Sequence, residues 1–441
     1  MILIHMIDYF NYFKDKKIMI MGLGLLGRGI NIARFLAEIG SQLTITDLKT
    51  EKELKSSLNK LKKFKNIKYV LGRHRLVDFR NKDMIIKAAG VPIDSIYIKE
   101  ARKHKIPIEM DASLFVKLAG IKTIGITGTR GKSTVTDIIY QILKKSYSSG
   151  NVFLGGNVKG LATLPLLKKA KKNDVIVLEL DSWQLQGFND SKISPEISIF
   201  TNFLPDHMNY YKNRMDRYFK DKSSIFKFQN KNDYLIVSQQ AKQEISKRFN
   251  GVIKSKMIIS GNKKWQAKLT GKHNQENFNL AAQVLEILGI KKEIIKKEFK
   301  KYLGLSGRME FVRNFKGVDY YNDTNATSPE AVIAALSTIN KDIILIAGGN
   351  DKGLDYKKMV EIIEKRVKTL VLIRGTATDK IIDLMGYSIE TVDNMKDAIK
   401  KANKFAKRGD VILLSPGAAS FGIFKNEYDR GDQFKKYVQK Y

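Results

Sequence analysis

Ten residues, Gly125-Ile-Thr-Gly-Thr-Arg-Gly-Lys-Ser-Thr134, hold the densest chemistry in the chain. When a glycine-rich loop leaves a strand and opens a helix, its backbone N–H groups and the helix N-terminus cradle phosphate oxygens. In that setting Lys132 reaches the β- and γ-phosphates and the Ser133 hydroxyl meets Mg2+. The strict spacing of such loops wants glycine at position 126, where Ile126 stands, so Gly125 comes one residue early. Downstream, Glu179 closes the apolar run Val175-Ile-Val-Leu-Glu-Leu180. A carboxylate at a strand's C-terminal end sits where open α/β sheets place ligands, and it can bind Mg2+ there. His207 follows the next strand exit, in Thr201-Asn-Phe-Leu-Pro-Asp-His207, and reads as functional; His5 and His104 read as surface polar residues. A second cluster, Gly22-Leu-Gly-Leu-Leu-Gly27, fits G-x-G-x-x-G, and Asp47 lies twenty residues beyond its last glycine. Alone it suggests a dinucleotide oxidoreductase. That reading leaves the central loop unexplained, and NAD(P)H binding against ATP hydrolysis separates the two.

Three α/β blocks position these residues. The first runs through strands Lys17–Met21, Leu43–Thr46, Met84–Ala88 and Ile106–Met110, with a helix through Ile39 and a last one fading near Gly120. The second starts with Thr123–Ile126 and the loop. It continues with a helix from Ser133, strands Val175–Leu180 and Ile197–Thr201, and a helix over Asn274–Leu288. The third begins near Leu305 and carries strands Ile343–Ala347, Thr369–Ile373 and Val411–Leu414. Strands alternating with helical patterns predict parallel sheets with crossover helices. The fold class is α/β, in three domains: 1–118, 119–304 and 305–441.

Composition narrows the chemistry further. With no cysteine among 441 residues, disulfides, iron–sulfur clusters and thiolate metal sites are excluded. Lys and Arg outnumber Asp and Glu by 79 to 45, a net charge of +34. The excess is scattered lysine without the arginine stripes or interleaved aromatics of nucleic-acid binding, so no nucleic-acid partner is expected and an anionic substrate is favoured. No apolar run approaches the ~18 residues of a membrane span, and the first residues lack the pattern of a secretory signal. A cytoplasmic location is the expectation.

The segments TGTRGKST, ELDSWQL, NFLPDHM, GKHNQEN, GLSGRMEF, YNDTNAT, AGGNDKG and LLSPGAAS occur in the order and spacing of the Mur ligases. The chain resembles that family along nearly its whole length, and most of all its members that add D-glutamate to UDP-N-acetylmuramoyl-L-alanine. The family's loop also has its glycine one residue early. The resemblance implies a Rossmann-like N-terminal UDP-binding domain, a central P-loop-type ATPase domain and a Rossmann-like C-terminal domain for the amino acid. It implies an ATP-dependent ligase of peptidoglycan precursor synthesis, working as a monomer through an acyl phosphate. Gly128, Thr129, Arg130, Gly131, Lys132, Ser133 and Thr134 would hold phosphates, with Asn274, Asn277, Arg308 and Asp323 on adenine and ribose. Ser133, Glu179, His207 and Lys222 would hold Mg2+, with Lys222 carbamylated, since an unmodified ammonium repels the ion and a carbamate supplies the oxygen a hard cation wants. Gly24, Leu25, Leu26, Asp47, Asn157 and Asp181 would meet the UDP substrate, and Thr327, Lys352 and Ser420 the carboxylates of D-glutamate.

The chain departs from the family at several of these places. Leu26 stands for a frequent threonine, Ala88-Ala89-Gly90 for a Ser-Pro-Gly turn at the uridine, and Asp181 for a substrate-contacting serine. Asn325 stands for a second lysine in the D-glutamate enzymes, and Glu427 for an aromatic. Glu427 then points away, pairs with Arg430, or contributes main chain alone. The alternatives are a related ligase adding L-glutamate or another amino acid, a folylpolyglutamate-type or archaeal cell-wall ligase, and a basic nucleic-acid-dependent ATPase.

Overall fold

Four consecutive apolar side chains of Lys17–Met21 (β1) are buried, the signature of a strand covered on both faces. The computed structural model describes residues 7–25, 27–158, 160–208, 210–267, 269, 271–420 and 422–440; Leu26 and His5 lie outside them. β1 anchors a sheet with Gln42–Asp47 (β2), Ile67–Leu71 (β3), Met84–Lys87 (β4) and Ile108–Glu109 (β5). The order is β3-β2-β1-β4-β5 and every pairing is parallel. From β1 the strand order runs outward through β2 and β3 on one side and through β4 and β5 on the other, so the order switches between β1 and β4. A crevice opens beyond the C-terminal ends of the strands at such a switch point.

The second sheet contains Lys122–Thr127 (β6), Val152–Gly156 (β7), Val175–Glu179 (β8), Ile197–Phe200 (β9), Tyr234–Val237 (β10) and Lys256–Ile259 (β11). It is again wholly parallel, in the order β11-β10-β9-β6-β8-β7. The phosphate-type loop therefore leaves the middle of the sheet, flanked by the exits of β8 and β9. The third sheet holds Glu310–Phe315 (β12), Val318–Asn322 (β13), Ile343–Gly348 (β14), Val367–Ile373 (β15), Thr391–Val392 (β16) and Val411–Leu414 (β17). Its order is β12-β13-β17-β14-β15-β16, antiparallel only between β12 and β13. Lys316 and Gly317, both at positive φ, make the tight turn of that hairpin.

The chain forms two compact units: Met1–Gln266 with Lys272–Lys300, and Ala267–Gly271 with Lys301–Tyr441. The first two sheets fall in one unit because they share a core. Ile18, Ile20, Leu114 and Phe115 join Leu164, Ile176 and Leu178 in one buried cluster. The link is polar as well. Asp111 accepts from Thr163 N and Leu164 N, both at 2.8 Å. Arg28 donates to Gly156 O at 2.9 Å and Leu161 O at 3.1 Å. In the other unit β14 buries Ile343 and Leu345 on one face and Ile344 and Ile346 on the other. Among the described residues no helix is long and apolar enough to cross a membrane.

Candidate active site

The loop after β6 is built for close approach. Gly128 (φ 142°) and Gly131 (φ 82°) lie in conformations that side chains avoid. A Cβ at the first would overlap Thr201 Oγ1, and one at the second Asn277 Oδ1. The loop is tied to the exit of β9: Thr129 N donates to Asn202 O at 2.9 Å and Arg130 N to Asn202 Oδ1 at 2.8 Å. Thr201 Oγ1 donates to Arg130 O at 2.5 Å. The helix Lys132–Ser146 starts from Gly131, which has no side chain to cap it. Its first-turn N–H groups face the loop with the helix dipole behind them, an arrangement that suits an anion. Lys132 Nζ donates to the carbonyls of Gly128 and Thr129, each at 3.0 Å. Asn274 and Asn277 are buried, with Asn277 Nδ2 donating to Asn274 Oδ1 at 3.4 Å.

Glu179 is in register with Ile126 of β6 and Gly156 of β7, and its carbonyl accepts from Asn157 N at 2.6 Å. This places Asn157 beside Glu179. His207 holds φ 54°, a left-handed conformation that costs a non-glycine residue of order 1–3 kcal/mol and persists only where its surroundings enforce it. Its ring lies on Trp183, centroids 4.5 Å apart. Burial holds the imidazole below its ordinary value, against the pull of Asp206. For Asp206 burial pushes the carboxyl up, yet His207, Arg130, Lys132 and Lys222 together keep it below the usual range. Lys222 is 1% exposed; its Nζ donates to Gly128 O at 2.7 Å and Thr127 Oγ1 at 3.4 Å. Burial, then the nearby Lys132, push its ammonium well below the ordinary lysine range. The glycine loop and Glu179 thus stand at the C-terminal ends of the adjacent strands β6 and β8, and His207 follows the exit of neighbouring β9. Lys222 Nζ bonds the first glycine of the loop's turn. No group of three or more His, Cys, Asp or Glu side chains suited to a metal occurs among the described residues.

The sequence did not mark the helix Ser182–Asp190 as functional. Trp183 Nε1, Gln184 Oε1 and Gln186 Oε1 on it are buried without a partner among the described residues, and such groups call for a ligand or water. The signal was present in ELDSWQL, whose polar residues follow directly on a strand exit. Asp181 caps this helix by accepting from Gln184 N at 2.8 Å. Aspartate and serine cap equally well, so the departure from serine leaves the local fold unchanged.

In the first sheet, Asp47 Oδ2 accepts from Leu23 N at 2.9 Å and Gly24 N at 3.0 Å, while Oδ1 takes Lys49 N. The carboxylate therefore shapes the glycine loop. Leu25 is 51% exposed on the same loop.

In the second unit, Lys352 Nζ donates to Thr327 Oγ1 at 3.0 Å. Asn350 and Ala419 exchange both backbone bonds at 2.9 Å, which brings the buried Ser420 alongside the Lys352 loop. Asp323 accepts from Met309 N at 3.1 Å and Ser415 Oγ at 2.8 Å, and burial pushes it up to about 7. Arg308 lies near enough to lower it in part. Asn325 Nδ2 donates to Ser306 O at 3.2 Å. Arg430, fully buried, donates to Thr324 Oγ1, Thr324 O and Ala418 O. Glu427 supplies its main-chain carbonyl to Thr324 Oγ1 at 2.7 Å.

Residues 16–109 match the model of the Mur ligase MurD-like N-terminal domain. Residues 126–295 match the Mur ligase middle domain, and 307–417 the Mur ligase glutamate ligase domain. The UDP-N-acetylmuramoylalanine–D-glutamate ligase of Borreliella burgdorferi is 36% identical over 453 residues, covering 96% of this chain and 98% of its own. The enzyme of the same name from Roseiflexus sp. is 33% identical over 465 residues, covering 97% and 99%. The crystal structure of UDP-N-acetylmuramate-alanine ligase from Thermotoga maritima aligns with a TM-score of 0.60 and 18% identity, over 96% of this chain and 99% of that one. That last likeness is one of fold.

Proposed function

We infer the chemistry of this site from one premise: the chain belongs to the Mur ligase family. Its activity is the ATP-dependent addition of D-glutamate to UDP-N-acetylmuramoyl-L-alanine. The observation that carries the division of labour is that the glycine loop, the Glu179 strand end and the His207 segment leave three adjacent strands, with Lys132 and Lys222 both bonded to carbonyls of that loop. We assign residues 128–134 to the ATP phosphates, and Asn274, Asn277, Arg308 and Asp323 to its nucleoside. Gly24, Leu25, Asp47, Asn157 and Asp181 are assigned to the UDP substrate, and Thr327, Lys352 and Ser420 to D-glutamate. The functional divisions at 118 and 304 belong to the same proposal.

A carboxylate has a poor leaving group, so its oxygen first attacks the γ-phosphorus of ATP and ADP departs. The neutral amine of D-glutamate then attacks the acyl carbon, the nitrogen gives up a proton to solvent, and phosphate leaves from the tetrahedral intermediate with the carboxylate's oxygen. Negative charge gathers on oxygen in both steps, where Lys132 and the loop N–H groups stand to meet it. The neutral imidazole of His207, the Glu179 carboxylate and the Ser133 hydroxyl suit a hard divalent ion, which when bound supplies further positive charge. Lys222 as an ammonium does not suit it. Its burial favours the neutral amine, the form that adds CO2, releases a proton and becomes a carbamate anion. We propose that modification at Lys222.

Amino-acid competition tests the acceptor. With ATP and UDP-N-acetylmuramoyl-L-alanine, an equimolar mixture of D-Glu, L-Glu, D-Asp and neutral amino acids should yield the D-glutamyl product almost alone. Preferred turnover of any other amino acid contradicts the acceptor assignment. A lysine and two hydroxyls suit a dianionic amino acid through charge-assisted bonds. Glu427 enters its domain's hydrogen bonding through its main chain, which any residue supplies.

A further inference from the structure

We propose that Lys87 is a positioning residue for the UDP substrate, its buried ammonium fastening the Ala88–Val91 turn that walls the crevice between β1 and β4. The inference rests on the assignment of that crevice and its glycine loop to the UDP substrate.

Lys87 ends β4 opposite Met21, the last residue of β1, so it stands at the switch point of the first sheet. It is 2% exposed. Its Nζ donates to Val91 O at 2.8 Å and Ala88 O at 3.3 Å. Those carbonyls bracket a turn closed by Val91 N donating to Ala88 O at 3.1 Å. The turn abuts the glycine loop: Ala88 N donates to Met21 O at 2.9 Å, and a Cβ on Gly22 would come within 2.9 Å of Ala88 Cβ. Ala88-Ala89-Gly90 has no side chain able to hold its own shape, so the strand's last lysine does so from behind.

Electrostatics agree with this geometry. Burial pushes the ammonium down to about 8, while Asp181, Asp190 and Asp221 pull it up and Arg102 adds to the push. At neutral pH the group is mostly charged, and its bonds to the two carbonyls are charge-assisted. Lys87 bonds only carbonyls among the described residues, and burying a lysine without a carboxylate partner is costly. Here the cost falls at the edge of a candidate substrate crevice.

The test is steady-state kinetics on the full enzyme. Lys87→Met keeps the stem's bulk and removes the donors. It should raise KM for the UDP substrate about tenfold or more, leaving kcat and the KM values for ATP and D-glutamate within about twofold. Ala89 is the second residue of the turn, where proline fixes the required φ. Ala89→Pro added to Lys87→Met should therefore recover most of the lost KM with kcat unchanged throughout, whereas a general loss of stability would lower kcat as well. Failure of that rescue, or a parallel fall in kcat and all three affinities, overturns the inference. Asp47→Ala, which frees the glycine loop, is the control. If it raises the UDP-substrate KM while Lys87→Met does not, the inference alone fails. If neither variant does, the reading of the crevice fails with it.

Discussion

Lys132→Ala should lower kcat by about a hundred- to a thousandfold, the usual cost of removing one donor aimed at developing charge on oxygen. The fold should persist. Lys132 is the first residue of a fifteen-residue helix, and its ammonium is bonded to carbonyls of the loop itself. Losing it removes no apolar core. Circular dichroism and thermal melting would show the protein folded while phosphate release collapses. The substitution has a second consequence. Lys132 is the principal charge pushing the Lys222 amine down after burial, so its removal should also leave less neutral amine at position 222 to take up CO2. Near-wild-type ATP turnover in a folded Lys132→Ala protein would contradict the assignment of the loop.

Lys222→Ala should cost activity on a similar scale, and small carboxylic acids such as formate or acetate should restore part of it. The side chain is sealed in, with one strong bond to Gly128 O and one weak bond to Thr127 Oγ1. Truncation leaves a cavity at the base of the phosphate loop, and a small carboxylate can place its oxygens where the carbamate's would lie. A merely structural lysine would not be replaced by an anion: removing a buried cation and adding a carboxylate reverses the local charge. Full activity without additive, or no recovery with any of the acids, contradicts the carbamate. Intact-mass measurement under CO2 gives an independent reading of the same modification.

The loop and both flanking strand exits were legible because each carries local chemistry. Gly-Lys-Ser-Thr opens a helix, Glu179 closes an apolar run, and His207 follows one. Lys222 was legible only through family resemblance, although a physical signal existed. Met215, Tyr218, Phe219 and Lys222 share the helical i, i+3, i+4, i+7 spacing, so the lysine lies on the apolar face. Arg430 likewise shares a helix face with Phe434 and Val438, at i, i+4 and i+8, and is buried with them. The β12–β13 hairpin was missed because its edge strand is half exposed and mixes charge with aromatics, leaving no apolar run. The common core of the first two sheets was invisible for another reason. Leu114 and Phe115 read as the end of one block, and only packing shows that they also belong to the next.

The central claim is that ATP activates the substrate carboxylate as an acyl phosphate, and oxygen labelling tests it most directly. UDP-N-acetylmuramoyl-L-alanine carrying 18O in both carboxylate oxygens is turned over with ATP and D-glutamate, and the released phosphate is analysed by mass spectrometry. Passage through an acyl phosphate transfers one labelled oxygen to each phosphate, leaving the other in the new amide. Unlabelled phosphate formed in step with the amide product would contradict it.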